Sequence, residues 1–91
     1  EMEGLVLGVS GVLEAAVVAR PDDVRGEAPV VFVVARENET VEKKAVIEEL
    51  KKHFAHWQLP HQDDVRFIDA IPKTSVGKFD KKVLRAQLTA E

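Results

Sequence analysis

The sequence predicts a small α+β domain, with flanking helices on a three-stranded sheet expected to be mixed, in the order αββαβα; three observations predict it. Two β-branched apolar runs, Val12 to Arg20 (VLEAAVVAR) and Ala28 to Arg36 (APVVFVVAR), flank the turn-forming loop PDDVRGE, so they read as neighbouring buried strands. Farther along, Val46, Ile47, Leu50, Phe54 and Trp57 recur at three- and four-residue steps, the period of a helix with one apolar face. Val65 to Ile68 then alternates as a third strand. With 91 residues and 45% hydrophobic content, the chain suits one domain over residues 1–91, burying roughly 60 to 65% of its unfolded surface.

Each element has a local reason. Met2, Leu5, Val6 and Val9 predict a short helix over residues 1–9, weakened by Gly4 and Gly8 and stopped at Ser10-Gly11. The first two strands lie close enough to pair, most simply antiparallel, and Pro29 is tolerated at a strand's first residues. Asn38-Glu39-Thr40 reads as a turn, with Thr40 the expected N-cap and Glu42 placed for the helix dipole. The long helix is expected from Val41 to about Trp57, with Glu48, Glu49, Lys51 and Lys52 facing away. Asp80 is the expected cap of a last helix that puts Val83, Leu84 and Leu88 on one face.

Several function classes are excluded early. There is no cysteine, hence no disulfide framework and no thiolate metal site. The first apolar run is too short and interrupted to span a membrane, and no basic leader precedes it, so a cytoplasmic chain without a transmembrane segment is expected. Asn38-Glu39-Thr40 matches a glycosylation acceptor, read here as a chance match in a loop. The net charge of −3 is unevenly spread: residues 73–91 hold five basic and two acidic side chains, a net +3, leaving −6 on residues 1–72. A basic tail on an acidic body suits an anionic partner, although a solvated helix face looks the same in sequence.

That tail begins with the most informative stretch, Pro72-Lys73-Thr74-Ser75-Val76-Gly77-Lys78. Pro72 stiffens the entry and Gly77 frees the backbone just before Lys78, presenting one lysine at a loop tip ahead of a basic helix. Taken without its motif, Lys78 would read as a solvated loop lysine. Gly77-Lys78 is similar to a phosphate loop, but Pro72 stands in place of the first glycine and Phe79 in place of the magnesium-binding Ser or Thr, so that reading fails. His53, His56 and His61 lack a convergent ligand set, and no metal site is assigned to them. Gly26-Glu27 is expected to be structural, Gly26 allowing a tight turn and Glu27 capping or pairing with Arg25. Trp57 is assigned to the core or to contact with another domain.

PKTSVGKFDKKVLR resembles the last conserved motif of the acyl-adenylate-forming enzymes, the superfamily of acyl- and aryl-CoA synthetases, luciferases and peptide-synthetase adenylation domains. The likeness extends back through His56-Trp57-Gln58-Leu59-Pro60, Gly26-Glu27 and Pro21-Asp22, and covers only the small C-terminal domain of such an enzyme. It implies a mobile lid that supplies Lys78 for acyl-adenylate formation and reorients for thioester formation. Lys73, Thr74, Gly77, Lys81, Lys82 and Arg85 are then candidates for phosphate contact or docking. The implied partner is the enzyme's own N-terminal adenylation domain, with Mg-ATP, an acyl carboxylate and coenzyme A as ligands of the full enzyme and none held by this domain alone. Phe79-Asp80-Lys81-Lys82, in place of the commoner aliphatic residue and paired arginines, points to the medium- and long-chain fatty-acid:CoA ligase branch. The alternatives are an aryl-CoA or peptide-synthetase lid, or a free-standing anion- or nucleic-acid-binding module, against which the acidic body and the lack of aromatics among the basic residues argue.

Overall fold

Five consecutive apolar residues, Val30 to Val34, can all be buried only if both faces of their strand are covered. In the computed structural model, which describes residues 2–90, they lie in β2 (Gly26–Ala35), the middle strand of a sheet ordered β1-β2-β3. Strand β1 (Val12–Asp22) runs antiparallel to β2 with Ala16 opposite Phe32, and β3 (Val65–Phe67) runs parallel to it with Val65 opposite Val31. The sheet is therefore mixed, as expected from the sequence.

Because successive side chains of a strand point to opposite faces, β2 feeds two cores. Val31 and Val33 join Val6, Val46, Leu50 and Val65 beneath α1 (Met2–Leu7) and α2 (Lys43–Lys51). Val30, Phe32 and Val34 join Ile71, Leu84 and Leu88 beneath α3 (Lys81–Thr89). Phe32 is only 3% exposed. Residue 1 of the first predicted helix lies outside the described residues; Met2, Leu5 and Val9 pack against the first core as their spacing required.

The long helix departs from its sequence period. It stops at Lys51, well before Trp57, because its last turn tightens: Lys52 N–H donates to Glu49 O (3.3 Å) and His53 N–H to Leu50 O (3.0 Å), the shorter three-residue ring that often ends a helix. Phe54 packs back on the first core, Ala55 N–H donates to the Gln58 side chain (2.8 Å), and a separate 3-10 turn forms at His56–Gln58. That turn leaves Trp57 67% exposed, so its assignment to the core is wrong. The cap also moves: Glu42, not Thr40, occupies the N-cap position, in extended conformation and without a side-chain cap bond. Its carbonyl receives the amides of Ala45 and Val46, so the first turn closes on Glu42 backbone. Asp80 does cap α3, accepting from Val83 N–H at 3.4 Å.

Candidate functional site

Between the second core and α3 the chain makes a small hairpin. Lys73 pairs antiparallel with Phe79, Asp80 N–H donates to Pro72 O (2.7 Å), Thr74 N–H to Lys78 O (2.7 Å), and Gly77 N–H to Thr74 O (2.9 Å). Gly77 takes φ of +86°, the left-handed conformation that lets a tight turn rejoin its strand at a three-residue hairpin loop. These three backbone bonds close the hairpin on itself. Below the tip, Phe79 packs half-buried on the second core beside buried Ile71.

The six cationic and loop residues singled out around Lys78 divide by what they touch. Lys78 is exposed and has no side-chain partner among the described residues. Lys73 reaches Glu14 on β1 (Nζ to Oε2, 3.2 Å) and lies 5.6 Å from the Phe79 ring centroid, within cation–π range. Lys81 meets Glu3 Oε2 at 2.6 Å. Glu3 also accepts Val17 N–H at 2.8 Å; burial raises its carboxyl, but Lys81 and that amide outweigh burial and hold it below the usual glutamate value. Lys82 and Arg85 are exposed on α3 and form no ion pair among the described residues. Thr74 and Gly77 serve the hairpin through their backbones.

At the β1–β2 turn, Gly26 has φ of +85° and sits opposite Asp22, the tight turn expected of it. Glu27 is exposed opposite Pro21. Arg25 turns to the carbonyl of Leu59, not to Glu27, because the chain after α2 passes beside it. Asp22 accepts the amides of Val24 and Arg25 at 2.9 Å and His61 Nε2 at 2.7 Å. Those bonds, His61 first, pull its carboxyl down to about 2. Nearby Asp64, whose side chain is 7% exposed, takes Arg20 at 2.9 Å and Arg66 at 3.1 Å. His53 faces Glu49, and among the described residues no group of three or more His, Asp or Glu side chains could hold a metal. For a magnesium ion near Lys78, the adjacent carboxylate of Asp80 is already engaged as a helix cap.

Sequence reasoning missed Glu3, Glu14, Asp22 and Asp64 as anchors. One of them left a signal: Glu14 is a lone acid in an apolar strand run, a position that asks for a cation nearby.

Comparisons with known proteins place the chain in a family. The family described as AMP-binding enzyme C-terminal domain matches residues 1–78, its match ending on Lys78. Acetyl-coenzyme A synthetase of Laribacter hongkongensis is 42% identical over 94% of this chain and 14% of its own length. 4-Coumarate--CoA ligase 2 of Oryza sativa subsp. japonica is 38% identical over 99% of the chain and 16% of its own length. The solved structure of a Mycobacterium tuberculosis fatty acyl CoA synthetase superposes with a TM-score of 0.82 at 40% identity, over 99% of this chain and 17% of that one. The chain thus spans about one-sixth of the length of the relatives it matches.

Proposed function

The chain belongs to the family of AMP-binding enzyme C-terminal domains, and on that premise we propose that it is the mobile lid of an AMP-forming acid:CoA ligase, with Lys78 as its catalytic side chain. The supporting observation is the hairpin: backbone bonds close it on itself, yet the ammonium of Lys78 is exposed and has no side-chain partner among the described residues. In the reaction, a carboxylate oxygen of the acid attacks the α-phosphorus of ATP, the bond to the bridging oxygen breaks, and pyrophosphate leaves with that electron pair. Two anions must meet. An ammonium about 4 Å from each offsets roughly 4 kcal/mol per contact at an effective dielectric near 20. Thioester formation needs no such cation between substrate anions, so a lid that swings Lys78 away fits the second half-reaction.

The remaining ligands follow from the same reading. ATP, coenzyme A and the acid are substrates of the whole enzyme, bound with its N-terminal adenylation domain; magnesium, which neutralises phosphate charge when bound, is held there and not on this domain. Lys82 and Arg85, both without ion-pair partners among the described residues, are the better placed docking or phosphate contacts, since Lys73 and Lys81 are engaged with Glu14 and Glu3. For the acid we favour a medium- or long-chain fatty acid, supported by the 40% identity to the fatty acyl CoA synthetase. The acetyl- and coumarate-activating relatives define the competing acids for a substrate panel. Exposed Trp57 is assigned to the surface that meets the larger domain. The isolated 91 residues should not catalyse pyrophosphate exchange.

The test is Lys78→Ala in the enzyme that carries this domain. Adenylate formation should fall by about 10² to 10³, the scale for losing a preorganised electrostatic group. Thioester formation from supplied acyl-adenylate should be spared. Equal losses in both half-reactions would make Lys78 a docking residue, and no loss in either would end its catalytic assignment.

A further inference from the structure

The hairpin lies outside the three-stranded sheet, so something other than the sheet ladder must fix its direction. Its stem is held from below by Ile71 and Phe79, which set its depth but leave a ribbon free to rock about its base. Two ion pairs oppose that motion, one on each side of Lys78. Lys73, five residues before it, is held by Glu14 on β1, and Lys81, three residues after it, by Glu3 on α1. Glu3 is itself fixed to β1 through the amide of Val17. Both anchors therefore refer the hairpin to one rigid strand, and the backbone bond from Asp80 to Pro72 joins the two anchored arms.

The Glu14, Lys73, Glu3 and Lys81 side chains are each between about a quarter and two-fifths exposed, and ion pairs in that setting add little to global stability. Placement is another matter, because a displacement near 1 Å can cost a reaction about 10²-fold. We propose that Glu14 and Glu3 are positioning residues for Lys78, two carboxylates that clamp the lysine hairpin at both stems so that its ammonium is presented in one direction. The catalytic part of this proposal rests on the reading of Lys78 given above; the mechanical part does not.

The experiment uses Glu14→Gln alone and the double variant Glu3→Gln/Glu14→Gln. Glutamine keeps an acceptor for Val17 N–H and nearly the same volume, so the fold should persist, and the single variant leaves α1 untouched. In the 91-residue chain, amide order parameters of Gly77 and Lys78 should fall in the double variant while those of β1 and β2 stay unchanged. In the enzyme that carries the domain, kcat for adenylate formation should drop about tenfold, with KM for ATP within twofold and thioester formation from supplied adenylate unaffected. Unchanged tip order overturns the clamp, and so does a wild-type adenylation rate or an equal loss in both half-reactions. If Lys78→Ala runs at full rate, the catalytic reading falls and takes the kinetic role of the anchors with it, whereas the order parameters still judge the clamp by itself.

Discussion

Two polar loops of this domain are built from similar residues and end in opposite states. The β1–β2 turn, the segment after α2 and the strand ends beside them carry Arg20, Asp22, Arg25, His61, Asp64 and Arg66, and every one is engaged with a side chain or backbone group of the domain. The hairpin over residues 72–80 and the first residue of α3 also use cations internally, at Lys73 and Lys81, yet Lys78 makes no such contact among the described residues. Mutual satisfaction of charges makes scaffold. A charge carried on a hairpin closed by its own backbone bonds, and without a partner among the described residues, is left open to a ligand from elsewhere.

The largest expected effect is the 10² to 10³ loss of adenylate formation in Lys78→Ala, which should come with no measurable change in the denaturation midpoint. Asp64→Asn should show the reverse. Removing the charge between two guanidinium groups leaves both with a weakened acceptor at a site only 7% exposed, for a cost of about 2 kcal/mol. Urea unfolding of the 91-residue chain measures it. A cost below roughly 0.5 kcal/mol, the usual limit for surface changes, would put the Arg20–Asp64–Arg66 cluster on the same footing as an ordinary surface pair.

How much of this contrast was legible beforehand depends on the distance over which each feature is decided. A lysine-bearing loop was readable, because Pro72, Gly77 and Lys78 act on their own backbone within a few residues, and so was the cap at Asp80, but the pairing of Lys73 with Phe79 that makes the loop a hairpin was not. The two apolar strand runs announced neighbouring buried strands. The C-terminal half of the predicted long helix was misleading: Phe54 and Trp57 keep the helical period, but the backbone tightens after Leu50 and sends Phe54 to the core and Trp57 to the surface. Anchors such as Lys73–Glu14, 59 residues apart, depend on which strand edge the hairpin folds against, and no local pattern encodes that.

A smaller effect tests the hairpin's local logic. Gly77 has φ of +86° and nothing within 4 Å of where a Cβ would stand, so Gly77→Ala should cost about 1 kcal/mol through the backbone alone. A chemically assembled chain with d-alanine at the same position should recover that cost, because its favoured φ is positive. Equal destabilisation by both enantiomers would mean that Gly77 is needed for space and not for its dihedral.

The smallest effect concerns acid, and its sign follows from Asp22. His61 Nε2 and the two turn amides favour the ionised carboxylate and draw its folded value down from 3.8 to about 2. A group depressed in the folded state binds protons more tightly once unfolded, so its stabilisation is complete above 3.8 and is lost as the pH falls through the folded value. The difference in Tm between the native chain and Asp22→Asn should therefore close progressively between about pH 4 and pH 2. His61→Ala removes the largest cause of the depression, so in that background the difference should be smaller from the start and close over a narrower range. A difference that widened on acidification would mean that Asp22 is harder, not easier, to ionise in the folded turn, and the stitched loop would lose its electrostatic account.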